Sequence, residues 1–289
     1  MRANSTGILV GASGRVGTLL RAVWALAPPD ALSVTCQWRQ ARDGRDGLVW
    51  SPLEGPGALK AWAGRHGPPD TIMMLAGVTP STQGALDTNA RLAVACLEAA
   101  RATGCGRVLI ASSSVVYGPG HGAPIPEDAP YAPVSHYGVA KRDMERACRP
   151  FRDAGLDVCC LRIGNVLGAD ALMLNAATGQ PLVIDRFRDG SGPIRSFLGP
   201  LTLGRILERL CTCPGPLPEA LNVGAPHPVS METLAEAAGL DWQWRDAPET
   251  ALHDVTLDCT RLAGFYTFSD AESRPEEMLA QLARIDDLP

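Results

Sequence analysis

Short apolar runs alternate along the chain with longer segments in which apolar positions recur at helical spacing. The runs are TGILVG, LSVTCQW, DTIMMLAG, GRVLIASSS and LDVCCLRIG, and the longer segments include RVGTLLRAVWALA and GALDTNARLAVACLEAARATG. Strands that alternate with helices predict βαβ units, and a parallel sheet covered on both faces explains strands of nearly unbroken apolar character. We therefore predict an α/β fold with a Rossmann-type, doubly wound parallel sheet.

The pattern becomes irregular after Gly164, where glycine- and proline-rich stretches surround one clear helix near residues 201–210. This change predicts a Rossmann domain over residues 1–164 and a smaller, irregular substrate-binding lobe over residues 165–289. Elements at about 197–224 are expected to pack back on the first domain.

The composition is that of a globular protein. The chain has 289 residues, is 46% hydrophobic and 20% charged, and carries a formal net charge of −5 without a basic run, which argues against nucleic acid or an anionic membrane as a partner. Its nine cysteines include no CxxC pair and no His/Cys cluster at zinc-site spacing, so no metal site is predicted. Without a signal-like start or a membrane-spanning apolar run, we expect a reduced, cytoplasmic chain.

The first strand leads at once into GASGRVG, which opens the first helix. Glycine turns can simply join a strand to a helix, but in this position backbone N–H groups and the helix dipole can meet a pyrophosphate. The turn therefore predicts dinucleotide binding by Gly11, Ser13, Gly14, Arg15, Val16 and Gly17.

The second strand should end near Trp38, where NAD-binding folds commonly place an acidic residue for the ribose hydroxyls. The sequence there, CQWRQARDG, has no carboxylate at the tip, whereas Arg39 and Arg42 are close by. Because a guanidinium suits a 2′-phosphate, we predict an NAD(P) cofactor with NADP favoured. Solvated arginines are the alternative, and Asp43 or Asp46 could serve if the strand ends elsewhere.

Tyr137 and Lys141 stand four residues apart in SHYGVAK, so they share a face if this segment is helical. An ordinary amphipathic helix would also show this spacing. Next to a nicotinamide cofactor, however, Tyr137 could take the proton of a secondary alcohol, and the Lys141 ammonium would favour its phenolate.

Together these residues resemble the extended short-chain dehydrogenase/reductase family, the NAD(P)-dependent sugar epimerase/dehydratase group. The resemblance rests on GASGRVG, LAG at 75–77, SSSVVYG, YGVAK, LRIGNVLG and DGSGPIRSFLG. It implies catalysis by Ser113, Tyr137 and Lys141, with Ser114 as the competitor for the serine position. It further implies cofactor contacts from Leu75, Ala76, Gly77, Tyr137, Lys141 and Ile163, and substrate contacts from Ser113, Ser114, Asn165 and Arg195.

In family dehydratases an Asp-Glu pair follows the catalytic hydroxyl residue, but here Ser114 and Val115 follow Ser113. Dehydration is therefore disfavoured. An epimerase or reductase acting by hydride transfer on a sugar or nucleotide sugar is expected.

Two alternatives stay open. The short segment between Gly168 and Asp189 also suits a reductase of a small non-sugar carbonyl, and an NADP-binding redox sensor without turnover is the alternative from another class. Family relatives often dimerise through the helices that begin here near Gln83 and Val134, so the resemblance is also compatible with a homodimer.

Overall fold

A seven-stranded parallel sheet forms the centre of the protein in this computed structural model. The structure describes residues 4–41, 44, 46–120, 122–179 and 181–286. The strands are β1 (Ser5–Val10), β2 (Leu32–Trp38), β3 (Leu48–Val49), β4 (Thr71–Met74), β5 (Arg107–Ser113), β6 (Asp157–Ile163), β7 (Asn165–Val166), β8 (Leu182–Arg186), β9 (Ile194–Arg195), β10 (Phe197–Leu198), β11 (Ala220–Val223), β12 (Val229–Ser230), β13 (Trp242–Asp246) and β14 (Asp254–Val255). The α-helices are α1 (Arg15–Leu26), α2 (Gly57–His66), α3 (Thr88–Thr103), α4 (His136–Asp153), α5 (Ala171–Ala176), α6 (Pro200–Thr212), α7 (Met231–Ala237) and α8 (Pro275–Asp286).

The strand order of the central sheet is β11-β6-β5-β4-β1-β2-β3. The chain builds outward from β1 to β3 on one side and then returns to place β4 on the other side of β1. This reversal between β1 and β4 is the topological switch point at which such sheets open a crevice for ligands. The predicted doubly wound Rossmann-type fold is confirmed.

Both faces of the sheet are buried, which explains why the strands read as apolar runs. Ile8 and Val10 of β1 join a core with Ile72, beneath α2, α3 and α4. Leu9 and Met73 point to the opposite face and belong to a second core, beneath α1 and α6. Successive side chains of a strand alternate between faces, so an apolar residue is needed at every position.

The C-terminal part of the chain contributes to the central sheet as well as to smaller ones. β11 pairs in parallel with β6, and α6 packs against α1. The smaller sheets pair β8 with β13, β7 with β10, and β9 with both β12 and β14. Within the described ranges, no helix has the length and apolar character needed to cross a membrane.

Two helices begin later than the sequence predicted. The expected starts lay near Gln83 and Val134, whereas α3 begins at Thr88 and α4 at His136. Ser135 sets the start of α4, because its hydroxyl accepts a hydrogen bond from the backbone N–H of Gly138 at 3.0 Å.

Candidate functional site

The glycine turn between β1 and α1 is shaped by close backbone contacts. Gly11 lies at φ +91°, and a Cβ there would sit 2.5 Å from the backbone nitrogen of Ala76. Gly17 is buried in α1, and a Cβ there would collide with the carbonyl oxygen of Gly11. Glycine is therefore required at both positions, because β1, α1 and the loop after β4 meet there.

The first turn of α1 is open on its outer side. No side chain caps the helix, and its first turn contains no acidic residue. Ser13, Gly14 and Arg15 are exposed, and Val16 is half-buried. The start of α1 and the positive end of its helix dipole therefore fit the diphosphate of a dinucleotide, which these four residues would hold.

Arg15 reaches from α1 across the switch point. Its Nη2 donates hydrogen bonds to the hydroxyl oxygens of Thr79 at 3.0 Å and Ser81 at 3.1 Å, both in the loop after β4. The turn motif predicts the position of Arg15 but not these two partners, because they lie more than sixty residues away along the chain.

The end of β2 lies at Trp38, as predicted, and carries an amide in place of a carboxylate. The Gln37 side chain accepts a hydrogen bond from the Gly11 N–H at 3.1 Å and donates to the carbonyl oxygen of Trp50. Arg39, just beyond the strand, is exposed. Sequence reasoning overlooked Gln37, although its position near the strand tip was visible.

Three other residues were named for the β2 tip, namely Arg42, Asp43 and Asp46. Arg42 and Asp43 lie outside the described residues. Asp46 uses its backbone carbonyl oxygen to accept the indole N–H of Trp38 at 3.0 Å. The alternative use of Asp43 or Asp46 for the ribose hydroxyls required β2 to end elsewhere. Because β2 ends at Trp38, that condition is not met.

The segment Leu75, Ala76 and Gly77 follows β4 and passes between the turn and α4. The N–H groups of Leu75 and Ala76 both donate to the carbonyl oxygen of Val10. A Cβ on Gly77 would lie 3.6 Å from the Lys141 ammonium nitrogen. The segment thus connects the glycine turn with the catalytic candidates on α4.

Tyr137 and Lys141 lie in the first turns of α4. Lys141 is 4% exposed, and its Nζ donates to the carbonyl oxygen of Ala111 at 2.7 Å and lies 5.8 Å from the ring centre of Tyr137. Burial raises the pKa of the half-buried Tyr137 phenol, and the charge of Arg15 opposes that rise. Burial also lowers the pKa of Lys141 to about 8, against the opposing charge of Glu145.

The serine cluster lies at the carboxyl end of β5. Ser113 is the last residue of the strand, stands opposite Ile163 in the register with β6, and is half-buried. Its hydroxyl oxygen accepts the N–H of Val115 at 3.4 Å. Ser114 is buried, which leaves Ser113 as the more accessible hydroxyl.

A buried polar network behind these residues was missed by the sequence analysis. Glu145, 5% exposed, pairs at 2.8 Å with Arg162, 4% exposed, and accepts hydrogen bonds from Ser112 and from Tyr131. Arg162 also donates to the Tyr117 hydroxyl at 2.8 Å. The sequence contains one indication that Glu145 lies near the site, because it follows Lys141 by four residues and therefore shares its helix face.

Two predicted substrate residues lie further along the chain. Asn165 begins β7, and its N–H donates to the carbonyl oxygen of Ser196 at 2.8 Å. Arg195 in β9 donates to carbonyl oxygens of Ile194, Leu252 and His253. Burial lowers the pKa of this guanidinium to about 10, and the charge of Asp254 opposes the shift. Arg195 is therefore a fixed cation held mainly by neutral oxygens.

Comparisons with known proteins identify a family and similar folds. Residues 8–201 match the NAD dependent epimerase/dehydratase family. A segment of 77 residues is 42% identical to UDP-glucose 4-epimerase from Azospirillum brasilense, and it covers 26% of this chain and 21% of that relative.

Two solved structures share the fold over nearly the whole chain. One is TunA, a NAD dependent NDP-hexosamine 5,6-dehydratase involved in tunicamycin biosynthesis, with a TM-score of 0.77, 18% identity and 99% of each chain covered. The other is UDP-glucuronic acid 4-epimerase from Bacillus cereus in complex with UDP-glucuronic acid and NAD, with a TM-score of 0.77, 17% identity, and 98% of this chain and 100% of that chain covered. The family match covers more than half of the chain and agrees with the fold and with the motifs that carried the resemblance to extended short-chain dehydrogenases/reductases. The chain therefore belongs to the NAD dependent epimerase/dehydratase family.

Proposed function

We propose that this protein is an NAD(P)-dependent epimerase or reductase that acts at a secondary alcohol or ketone carbon of a sugar or nucleotide sugar. The observation that carries the proposal is the placement of Tyr137 and Lys141 on one face of α4, with the ammonium of Lys141 anchored to Ala111 in β5. A nicotinamide cofactor held at the glycine turn would supply the hydride acceptor and donor.

Tyr137 acts as the acid/base in this proposal. Its phenolate must take the hydroxyl proton when the substrate alcohol is oxidised, and the phenol formed must return that proton when the carbonyl is reduced. Burial alone opposes phenolate formation, so nearby positive charge is needed. Arg15 already supplies some of that charge, and Lys141 supplies it from one turn further along the helix.

Ser113 positions the reacting oxygen. A hydroxyl at the carboxyl end of a parallel strand can donate a hydrogen bond to a substrate oxygen in the crevice. The half-buried position of Ser113 beside Ile163 supports this role over that of the buried Ser114.

The residues after Ser113 favour epimerisation or reduction over loss of water. Elimination requires a general acid and a general base near the reacting carbon, and Ser114 and Val115 provide neither. The nearby carboxylate of Glu145 is occupied by Arg162 and two hydroxyl groups. Product analysis distinguishes these reactions directly.

NADP is the proposed preferred cofactor. Gln37 is neutral and engaged with backbone groups, so no charge from this side chain repels a 2′-phosphate. Arg39 is exposed close to the same strand end and can form a charge-assisted hydrogen bond with that group.

Substrate binding is assigned to Asn165, Arg195 and the two serines. The Arg195 guanidinium, charged at neutral pH and held by carbonyl oxygens, suits an anionic group such as a diphosphate. UDP-glucuronic acid, the compound bound in the Bacillus cereus relative, is therefore the first test substrate, followed by other UDP-, GDP- and dTDP-sugars.

The test compares Tyr137→Phe with Tyr266→Phe, which removes a hydroxyl that donates to Glu272 instead. Wild type and Tyr266→Phe should convert at least one sugar in the panel, by epimer analysis or by the change in NAD(P)H absorbance. Tyr137→Phe should bind cofactor normally and lose about 10²–10⁴-fold in turnover. Cofactor binding without any conversion by the wild type would favour the redox-sensor alternative.

A further inference from the structure

Ser112 lies at the end of β5 between two residues that serve the proposed site. On one side, the carbonyl oxygen of Ala111 accepts a hydrogen bond from Lys141 Nζ at 2.7 Å. On the other side, Ser113 ends the strand. Ser112 itself is buried, and its hydroxyl donates a hydrogen bond to Oε1 of Glu145 in α4. Successive side chains of a strand point to opposite faces, so a change at Ser112 acts on the Ser113 hydroxyl only through the backbone.

The carboxylate that receives Ser112 is held in place from the neighbouring strand. Arg162 of β6 stands opposite Ser112 in the register of the sheet. Its Nη2 donates to Oε2 of Glu145 at 2.8 Å, and its Nε donates to Oε1 at 3.2 Å and to Oε2 at 3.1 Å. Charge-assisted hydrogen bonds to both oxygens fix the orientation of a carboxylate as well as its position. One buried cluster therefore joins β5, β6 and α4 directly before Ser113.

Lys141 depends on the backbone of β5 for its position. A second contact of its Nζ, at 3.8 Å, is to the sulfur of Met144, which is a weak acceptor. The Ala111 carbonyl oxygen is therefore the contact that orients the ammonium near the ring of Tyr137. Such placement matters, because a misplacement of about 1 Å caused by a distant change can cost about a hundredfold in rate.

We propose that Ser112 and Glu145 are positioning residues. The Glu145 carboxylate anchors the end of β5 through the Ser112 hydroxyl. This contact fixes the carbonyl oxygen that holds Lys141 and the strand end that carries Ser113. The proposal rests on the proposed function, because it concerns the groups that handle the substrate proton and the reacting oxygen there. Stability alone does not require the cluster, since well-packed apolar residues can often replace a buried ion pair without loss.

The experiment compares Ser112→Ala with Tyr131→Phe. Each variant removes one hydroxyl that donates to Glu145, from β5 in the first case and from the segment before α4, at 2.7 Å, in the second. Both keep the ion pair with Arg162. With a sugar of the test panel that the wild type converts, Ser112→Ala should lower kcat about ten- to a hundred-fold at unchanged KM. Tyr131→Phe should retain the wild-type kcat, and Ser112→Thr, which keeps a hydroxyl, should recover part of the loss.

Each outcome leads to a distinct conclusion. Equal kcat in wild type and Ser112→Ala, with both folded by circular dichroism, overturns the proposal and leaves the proposed function intact. The same loss of kcat in Ser112→Ala and Tyr131→Phe shows a general effect of a weakened cluster, which also overturns the proposal. A loss confined to KM overturns it as well. Absence of conversion by the wild type overturns the proposed function, and this proposal with it.

Discussion

Lys141 should reduce the stability of the protein in the charged state that the proposed function needs. Its ammonium is 4% exposed, and burial lowers its pKa from about 10.5 to about 8. At roughly 1.4 kcal/mol per pKa unit, charging this group in the fold costs about 3 kcal/mol. An apolar replacement of Lys141 would escape this cost but would also lose the hydrogen bond to the Ala111 carbonyl oxygen, which contributes about 1 kcal/mol.

The pH dependence follows from the sign of this shift. Below pH about 8, Lys141 is charged in both the folded and the unfolded state, so the full cost is present. Between about 8 and 10.5 the unfolded chain holds the proton while the folded one releases it, so stability rises with pH. Roughly 2 kcal/mol of the cost should be relieved by pH ~9.5.

Lys141→Met removes the charge and keeps the length of the side chain. Without added nucleotide, the variant should be more stable than the wild type by about 2 kcal/mol at neutral pH. That advantage should largely disappear by pH ~9.5, as followed by urea unfolding at both pH values. Lys60→Met, at an exposed lysine of α2, should show no such change. A stability difference for Lys141→Met that stays constant with pH would refute the reasoning.

Three further predictions concern the buried ion pair, the cofactor and the glycine turn. Glu145→Leu should lower the free energy of unfolding by about 3–5 kcal/mol, because Arg162 loses its buried partner, whereas the double variant with Arg162→Met should recover most of the loss in urea unfolding. An equal loss in both variants would contradict this account. Arg39→Ala should weaken NADPH binding about tenfold and leave NADH binding unchanged in calorimetry; equal effects on both would remove the 2′-phosphate argument. Gly17→Ala should prevent folding as judged by circular dichroism, whereas Gly64→Ala, where a Cβ meets nothing within 4 Å, should stabilise the chain by about 0.5–1 kcal/mol.

Local patterns predicted the features that depend on local chemistry. The apolar runs identified the strands because both faces of the sheet are buried, and the four-residue spacing placed Tyr137 and Lys141 on one side of α4. The glycines of the turn were recognisable because Gly11 needs a positive φ and Gly17 admits no side chain. These constraints act within a few residues along the chain.

The parts that were missed depend on contacts between distant segments. Arg162 finds Glu145 because β6 packs against α4, and nothing in either segment alone specifies that pairing. Arg15 meets Ser81 only because β4 returns beside β1. Gln37 contacts Gly11 for the same kind of reason, since β2 lies next to β1.

The pairing of β11 with β6 has a consequence for any attempt to express the N-terminal part alone. A fragment ending at Gly164 would leave β6 as an exposed edge strand, with a row of unpaired backbone groups flanked by apolar side chains. It would also lose Asn222 of β11, whose side-chain oxygen accepts a hydrogen bond from the Tyr117 hydroxyl at 2.7 Å. Such a fragment should aggregate by strand addition, so the N-terminal part is best studied together with the C-terminal part.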